Sequence, residues 1–194
     1  AAAAQVWIDY SVAYQLYSPA YEAAVRNRCI YVCLTGMDVD MMVRTIGRPS
    51  YAPLSEMATR LYQLSQAARV VRVTSAAGTD LSMAVDPAGD PWWEHPPEEG
   101  SFSQMLGGQS GFNAYRERYE GTLVLDGTLW PPAELGLLQS PVRLVIEGGY
   151  VRRIEGGREA AILRRWLESF QNPYAYLMDH VCYGFNPGVL RPSG

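Results

Sequence analysis

The period of the apolar positions changes part-way along the chain, near Arg69. Before it, short continuous apolar runs (residues 6–8 and 29–34) alternate with stretches whose apolar residues recur every three or four positions. Uninterrupted runs of that length suit strands buried on both faces, as in a parallel sheet. Tyr21, Ala24, Val25 and Arg28 keep helical spacing behind Pro19, a residue suited to a first helical turn. A second helix is predicted from near Asp38 to Gly47. Leu54, Met57, Leu61 and Leu64 predict a longer amphipathic helix starting near Ser50 or Pro53. Strand–helix–strand–helix order predicts a partial open α/β sheet over residues 1–68.

From Arg69 the pattern switches to alternation. Residues 69–74 predict a half-buried strand, and residues 81–85 follow across an Ala-Gly turn to make a hairpin. Residues 86–116 are rich in Pro, Gly and Trp and show no period, which predicts a long loop. Such loops in compact domains are functional or disordered, and the Trp92-Trp93 pair argues for order. Residues 121–125, 142–146 and 150–154 predict strands. The last lies between Gly148-Gly149 and Gly156-Gly157, read as two turns joining antiparallel strands. Residues 158–170 and 174–181 predict two closing helices, the second with Asn172 as N-cap and Pro173 in its first turn. The expected fold class is α/β: a partial open α/β sheet lobe (1–68) followed by a mixed strand-rich α+β lobe (69–194) that carries the site.

Composition removes several function classes. A net charge of -4 offers no field to attract nucleic acid or an anionic membrane, so neither is expected as a partner. No apolar run approaches the roughly 20 residues of a membrane-spanning helix. With 48% hydrophobic and 19% charged residues the chain is globular. Cys29 and Cys33 lie in an apolar run and Cys182 is apart from them, so free buried thiols and a cytoplasmic setting are expected. The chain opens on Ala1-Ala2-Ala3-Ala4 without an initiator Met and closes on a loop-like Leu190-Arg191-Pro192-Ser193-Gly194. It is expected to be the middle of a longer protein, or one processed at both ends. Its apolar N-terminal strands need cover, which predicts a homo-oligomer, a dimer first.

The candidate chemistry is sparse. One of only two histidines, His180, stands directly before the glycine-rich stretch Gly184-Phe185-Asn186-Pro187-Gly188. Its plainer reading is a capping histidine at a helix C-terminus, where the dipole favours its charge. Asp179 beside it reads as a solvated helix residue. The other histidine, in Trp93-Glu94-His95-Pro96-Pro97, is a candidate acid/base for a hydroxylated ring, or simply an exposed loop residue. Trp92, Trp93 and Phe112 can line an apolar pocket or fill the core. Asp80 and Asp126-Gly127 read as turn residues. A phosphate-binding loop, a G-x-S-x-G elbow and a zinc-type cysteine cluster are all missing, which removes nucleotide, serine-hydrolase and zinc-finger readings.

Taken in order, Ala77-Gly78-Thr79-Asp80-Leu81, Gly107-Gly108-Gln109, Glu120-Gly121-Thr122-Leu123-Val124-Leu125-Asp126-Gly127, Pro141-Val142-Arg143-Leu144, Val151-Arg152-Arg153-Ile154-Glu155-Gly156-Gly157, His180 and Gly184-Phe185-Asn186-Pro187 resemble the superfamily of aminopeptidase T. That superfamily also holds the 2,5-dihydroxypyridine 5,6-dioxygenases, and the resemblance runs from about residue 5 to about residue 190. The aminopeptidase branch implies a two-metal hydrolase with glutamate ligands. Gln109 and His180 stand at those positions here, and a neutral glutamine undermines a binuclear site. The dioxygenase branch implies a two-histidine, one-carboxylate Fe(II) site, with His180 as one metal ligand. Its other two ligands, a His-x-Asp pair, would lie outside this chain segment. The resemblance thus implies a ring-cleaving dioxygenase that takes a small aromatic substrate and dioxygen. His95 would be catalytic, and Trp93, Gln109 and Asn186 would contact the substrate. A metallo-aminopeptidase-like hydrolase and a non-catalytic relative lacking the complete metal site are the alternatives.

Overall fold

The computed structural model describes residues 4–88, 103–104 and 107–190. The elements run β1 (Val6–Asp9), α1 (Pro19–Arg26), β2 (Ile30–Cys33), α2 (Val39–Met42), a π-helical turn (Val43–Gly47) and α3 (Tyr51–Ala67). They continue with β3 (Val70–Thr74), β4 (Asp80–Val85), β5 (Ser103–Gln104), β6 (Gln109–Leu125), β7 (Thr128–Leu129) and β8 (Gly136–Leu137). The last are β9 (Val142–Glu147), β10 (Tyr150–Glu155), α4 (Arg158–Ser169), a 3-10 turn (Pro173–Tyr176) and β11 (His180–Gly184). The chain forms two compact units. Among the described residues, one holds 4–62, 103–104, 107–111 and 182–190, and the other holds 63–88 and 112–181.

The first unit is built on a parallel sheet of order β1-β2-β5, with Val6 opposite Ile30 and Asp9 opposite Cys33. Helix α1 starts where the Ser18 hydroxyl accepts from the Tyr21 N–H at 3.2 Å and Pro19 sets the first turn. Its Ala24 is fully buried. Tyr31 of β2 is fully buried between Trp7 and Tyr21, both edge-on with ring centroids 5.0 Å away.

At the C-terminal end of β1 the buried Asp9 accepts from Tyr31 Oη (2.7 Å), from Ser11 Oγ (2.6 Å) and from the Ser11 N–H (3.0 Å). Burial alone would push this carboxyl up, but the hydrogen bonds led by Ser11 and Tyr31 hold it below the ordinary aspartate value. Burial and the bond to Asp9 push the Tyr31 phenol well up. A carboxyl depressed in the folded state contributes stability above its unfolded value of about 3.8, and that contribution is lost as pH falls through the folded value. Asp9→Asn is therefore expected to destabilise by about 1–3 kcal/mol at pH 7. Urea melts of both proteins from pH 7 down to pH 3 should show the gap narrowing, and a constant gap would refute this account.

The second unit is an antiparallel sheet of order β10-β9-β6-β4-β3, with β11 also pairing β6. Alternation buries Leu81, Met83 and Val85 of β4, and Phe112 and Tyr119 of β6 and Val142 and Ile146 of β9 are buried as well. Helix α4 covers the sheet through Ala160 and Leu163.

Several expectations are corrected. Residues 109–116 are strand rather than loop, because β6 is one strand of 17 residues. Its period is hidden by a bulge: Met83 pairs with Tyr119 but Val85 pairs with Ala114, so residues 115–118 stand exposed out of register. Residues 174–181 are not a helix. A 3-10 turn at Pro173–Tyr176 gives way to β11, because β6 offers backbone partners that a lone helix would forgo. Asn172 does cap that turn, its side chain accepting from the Tyr174 N–H at 3.0 Å. Gly156-Gly157 leads from β10 into α4, so only Gly148-Gly149 joins antiparallel strands. Asp126-Gly127 closes no β6–β7 hairpin, since β7 pairs with β8. Asp80 opens β4 and forms a two-pronged ion pair with Arg72 at 2.7 Å rather than a turn. The turn is closed between Ser75 and Thr79, the Ser75 N–H donating to the Thr79 carbonyl at 3.1 Å, while the buried Thr79 hydroxyl reaches β6, accepting from the Val124 N–H (3.0 Å) and donating to the Val124 carbonyl (3.3 Å).

Candidate active site

The sequence-predicted residues fall in two places. In the first unit, residues 107–109 and 184–186 with Val189 line a cavity of about 360 Å³. Asn186 is its anchor. The Asn186 Nδ2 donates to the carbonyls of Thr45 (2.9 Å) and Gly107 (2.6 Å), and Oδ1 accepts from the Gly188 N–H (2.8 Å). The Phe185 N–H donates to the Gly108 carbonyl at 2.7 Å. Gly108 has φ +96°, and a Cβ there would come within 2.6 Å of the Asn186 Cβ, so the two segments can touch only where no side chain intervenes. Asn186 thus shapes this cavity with both amide protons already committed to backbone carbonyls. Gln109 lines the same cavity, half-buried.

In the second unit, His180 is the first residue of β11 and is half-exposed. Its Nδ1 lies 2.9 Å from Asp179 Oδ2, while Asp179 Oδ1 lies 2.8 Å from Arg116 Nη2. Hydrogen bonding from the His180 ring, and then the Arg116 charge, hold the Asp179 carboxyl below the usual aspartate value. With a proton on Nδ1 the ring would donate to the carboxylate, and Nε2 would be the nitrogen left for a metal. The backbone is fixed as well: Tyr119 Oη donates to the Asp179 carbonyl at 2.9 Å and the Met178 N–H donates to the Gly149 carbonyl at 2.8 Å. Sequence reasoning missed Arg116, which lay in the stretch read as loop. Asp179 is solvated as expected, but it stands just before a strand rather than in a helix, and it bridges two side chains. Trp93 and His95 lie outside the described residues.

Among the described residues no group of three or more His, Cys, Asp or Glu side chains is placed to hold a metal ion. One imidazole backed by a carboxylate fits one position of a histidine-rich iron site and does not complete it. No helix among the described residues is long and apolar enough to cross a membrane.

Comparison with known proteins decides the family. Residues 2–190 match the family model described as 2,5-dihydroxypyridine 5,6-dioxygenase. The chain belongs to that family. A 2,5-dihydroxypyridine 5,6-dioxygenase of Pseudomonas putida strain KT2440 is 38% identical over 69 residues, which is 35% of this chain and 19% of that protein. The solved 2,5-dihydroxypyridine dioxygenase structure from Pseudomonas putida KT2440 superposes with a TM-score of 0.72 at 23% identity, covering 97% of this chain and 53% of that one. Wild-type AmpT from Thermus thermophilus superposes with a TM-score of 0.51 at 16% identity, covering 87% of this chain and 40% of that one. At these identities both likenesses speak to the fold alone, which is the mixed α/β fold expected. The chain spans about half the length of the solved dioxygenase it matches.

Proposed function

We infer that this chain is part of a mononuclear, non-haem Fe(II) enzyme that cleaves a dihydroxylated aromatic ring such as 2,5-dihydroxypyridine. The family match over residues 2–190 carries this reading. The His180 ring supports it, because a carboxylate on Nδ1 is the usual partner of a metal-binding imidazole. Fe(II) held by two histidines and one carboxylate would supply open positions for substrate and dioxygen. The remaining ligands are expected outside this segment.

The protein's own residues divide the work. His180 contributes one ligand nitrogen. The first unit's cavity, edged by Gln109 and by the Asn186 turn, is large enough at about 360 Å³ to admit a single ring. His95 accepts the substrate hydroxyl proton and Trp93 stacks on the ring, both on the strength of their place in the sequence. The hydrolase alternative has less support, since Gln109 and His180 stand where a binuclear site would place carboxylates. Metal analysis and oxygen-dependent turnover of the intact protein separate the readings: one iron and ring cleavage, two divalent ions and peptide hydrolysis, or neither.

The enzyme is proposed to be a cytoplasmic homo-oligomer. Cys29 and Cys33 are buried free thiols, which suits a reducing compartment. Val6, Ile8, Tyr10 and Val12, at alternate positions on and just after β1, are each about half exposed or more, which makes a row of apolar side chains that a second copy would cover. Light scattering at micromolar concentration should show a dimer or larger species, and a monomer would remove this proposal.

A further inference from the structure

The bulge in β6 has a specific product. Between the pairs Met83–Tyr119 and Val85–Ala114 the strand carries extra residues, and they turn Arg116 outward, where its guanidinium meets Asp179 Oδ1 at 2.8 Å. Bulges re-aim side chains in this way, and they are common beside active sites. The bulge is itself held from the other side. Gly149, at φ +76° in the β9–β10 turn, sits so close to the Arg116 carbonyl that a Cβ would lie 1.7 Å from it. The Gly149 N–H donates to the Tyr119 carbonyl at 3.0 Å, and the Gly149 carbonyl accepts from Met178. The Glu120 carboxylate accepts from the Gly148 N–H at 2.8 Å, and Tyr150 bridges to Leu177. Arg116, Asp179 and the backbone before His180 are therefore fixed to one turn.

An exposed ion pair of this kind adds little stability by itself. Its geometry does something else. Neutral histidine in water favours the tautomer with the proton on Nε2, which closes that nitrogen to a metal. A carboxylate on Nδ1 reverses the preference and fixes the ring plane. A freely rotating aspartate next in sequence would do this intermittently; holding its second oxygen on Arg116 favours the orientation that faces the ring.

We propose that Asp179, clamped by Arg116 from the β6 bulge, is a positioning residue that fixes the His180 ring as its Nδ1–H tautomer and presents Nε2 to the metal. This rests on the reading of His180 as an iron ligand and adds to it the residues that orient the ring.

The test uses the intact protein, uniformly labelled with nitrogen-15 and freed of iron, at a pH where the ring is neutral. Long-range nitrogen–proton spectra report the His180 tautomer directly, and Fe(II) titration of the same samples gives the dissociation constant. Wild type should show the Nδ1–H form. Asp179→Ala should move to the Nε2–H form and bind Fe(II) about 10–100-fold more weakly. Arg116→Ala should give a mixture of tautomers, and Arg116→Lys should restore the wild-type signal, which loss of a merely structural contact would not produce. Unchanged backbone amide spectra confirm that each variant is folded. An Nε2–H tautomer in wild type, or an unchanged tautomer and dissociation constant in Asp179→Ala, overturns the proposal. A wild type that shows the Nδ1–H form but takes up no iron refutes the dioxygenase reading and leaves the tautomer assignment standing.

Discussion

On the proposed reading, replacing His180 by alanine should cost the intact protein its iron, and ring cleavage should go with it. By that reading the substitution removes a ligand nitrogen, so the loss of Fe(II) affinity should exceed the roughly 10–100-fold typical of changes to residues that only support a ligand. The fold should survive, because His180 is half-exposed at the start of β11 and fills no core position. Iron content, Fe(II) titration and the far-ultraviolet dichroism of the variant check all three parts together. A His180→Ala protein that kept its iron and its turnover would remove the main chemical support for the dioxygenase reading.

Asn186→Asp should be the most damaging single-atom change in the described residues around the cavity. The amide donates to two carbonyls, Thr45 and Gly107, and accepts from Gly188, all within a residue only 8% exposed. A carboxylate can keep the last bond but cannot make the first two, and it sets a negative charge against two carbonyl oxygens. Two lost hydrogen bonds and a poorly solvated anion together predict a cost of about 3–5 kcal/mol. Denaturant melts should show it, and so should faster hydrogen exchange at Gly108 and Phe185. A variant as stable as wild type would mean that this turn is not held as described.

The strands at 70–74 and 81–85 were legible because they alternate and because their partner is the next strand along. The parallel strands of the first unit were legible for the opposite reason, being continuous apolar runs. What escaped was set by partners distant in sequence. Residues 174–178, Tyr-Ala-Tyr-Leu-Met, contain no helix breaker, and only pairing with β6 makes the following residues a strand. The start of β6 hides its register behind Gln109, Ser110 and Asn113 and then behind the bulge. His180 and the Asn-Pro turn were visible as candidates because such residues are scarce here. The groups that orient them were not: Thr45 lies 141 residues from Asn186 along the chain, and nothing local to Arg116 marks it as the neighbour of Asp179.

The Thr79 hydroxyl bears on how the Gly-Thr-Asp motif should be read in other chains. Because that one oxygen both gives and takes a proton at Val124, the middle letter of the motif is the constrained one. Serine offers the same two-way bond, whereas valine, its closest match in shape, offers neither half. The aspartate that gives the motif its charged look is a surface partner for Arg72, so its identity can drift together with that arginine. A signature for this sheet is therefore better written as glycine, a hydroxyl, then any residue matched across the strand, and homologues lacking the acid are not thereby excluded from the fold.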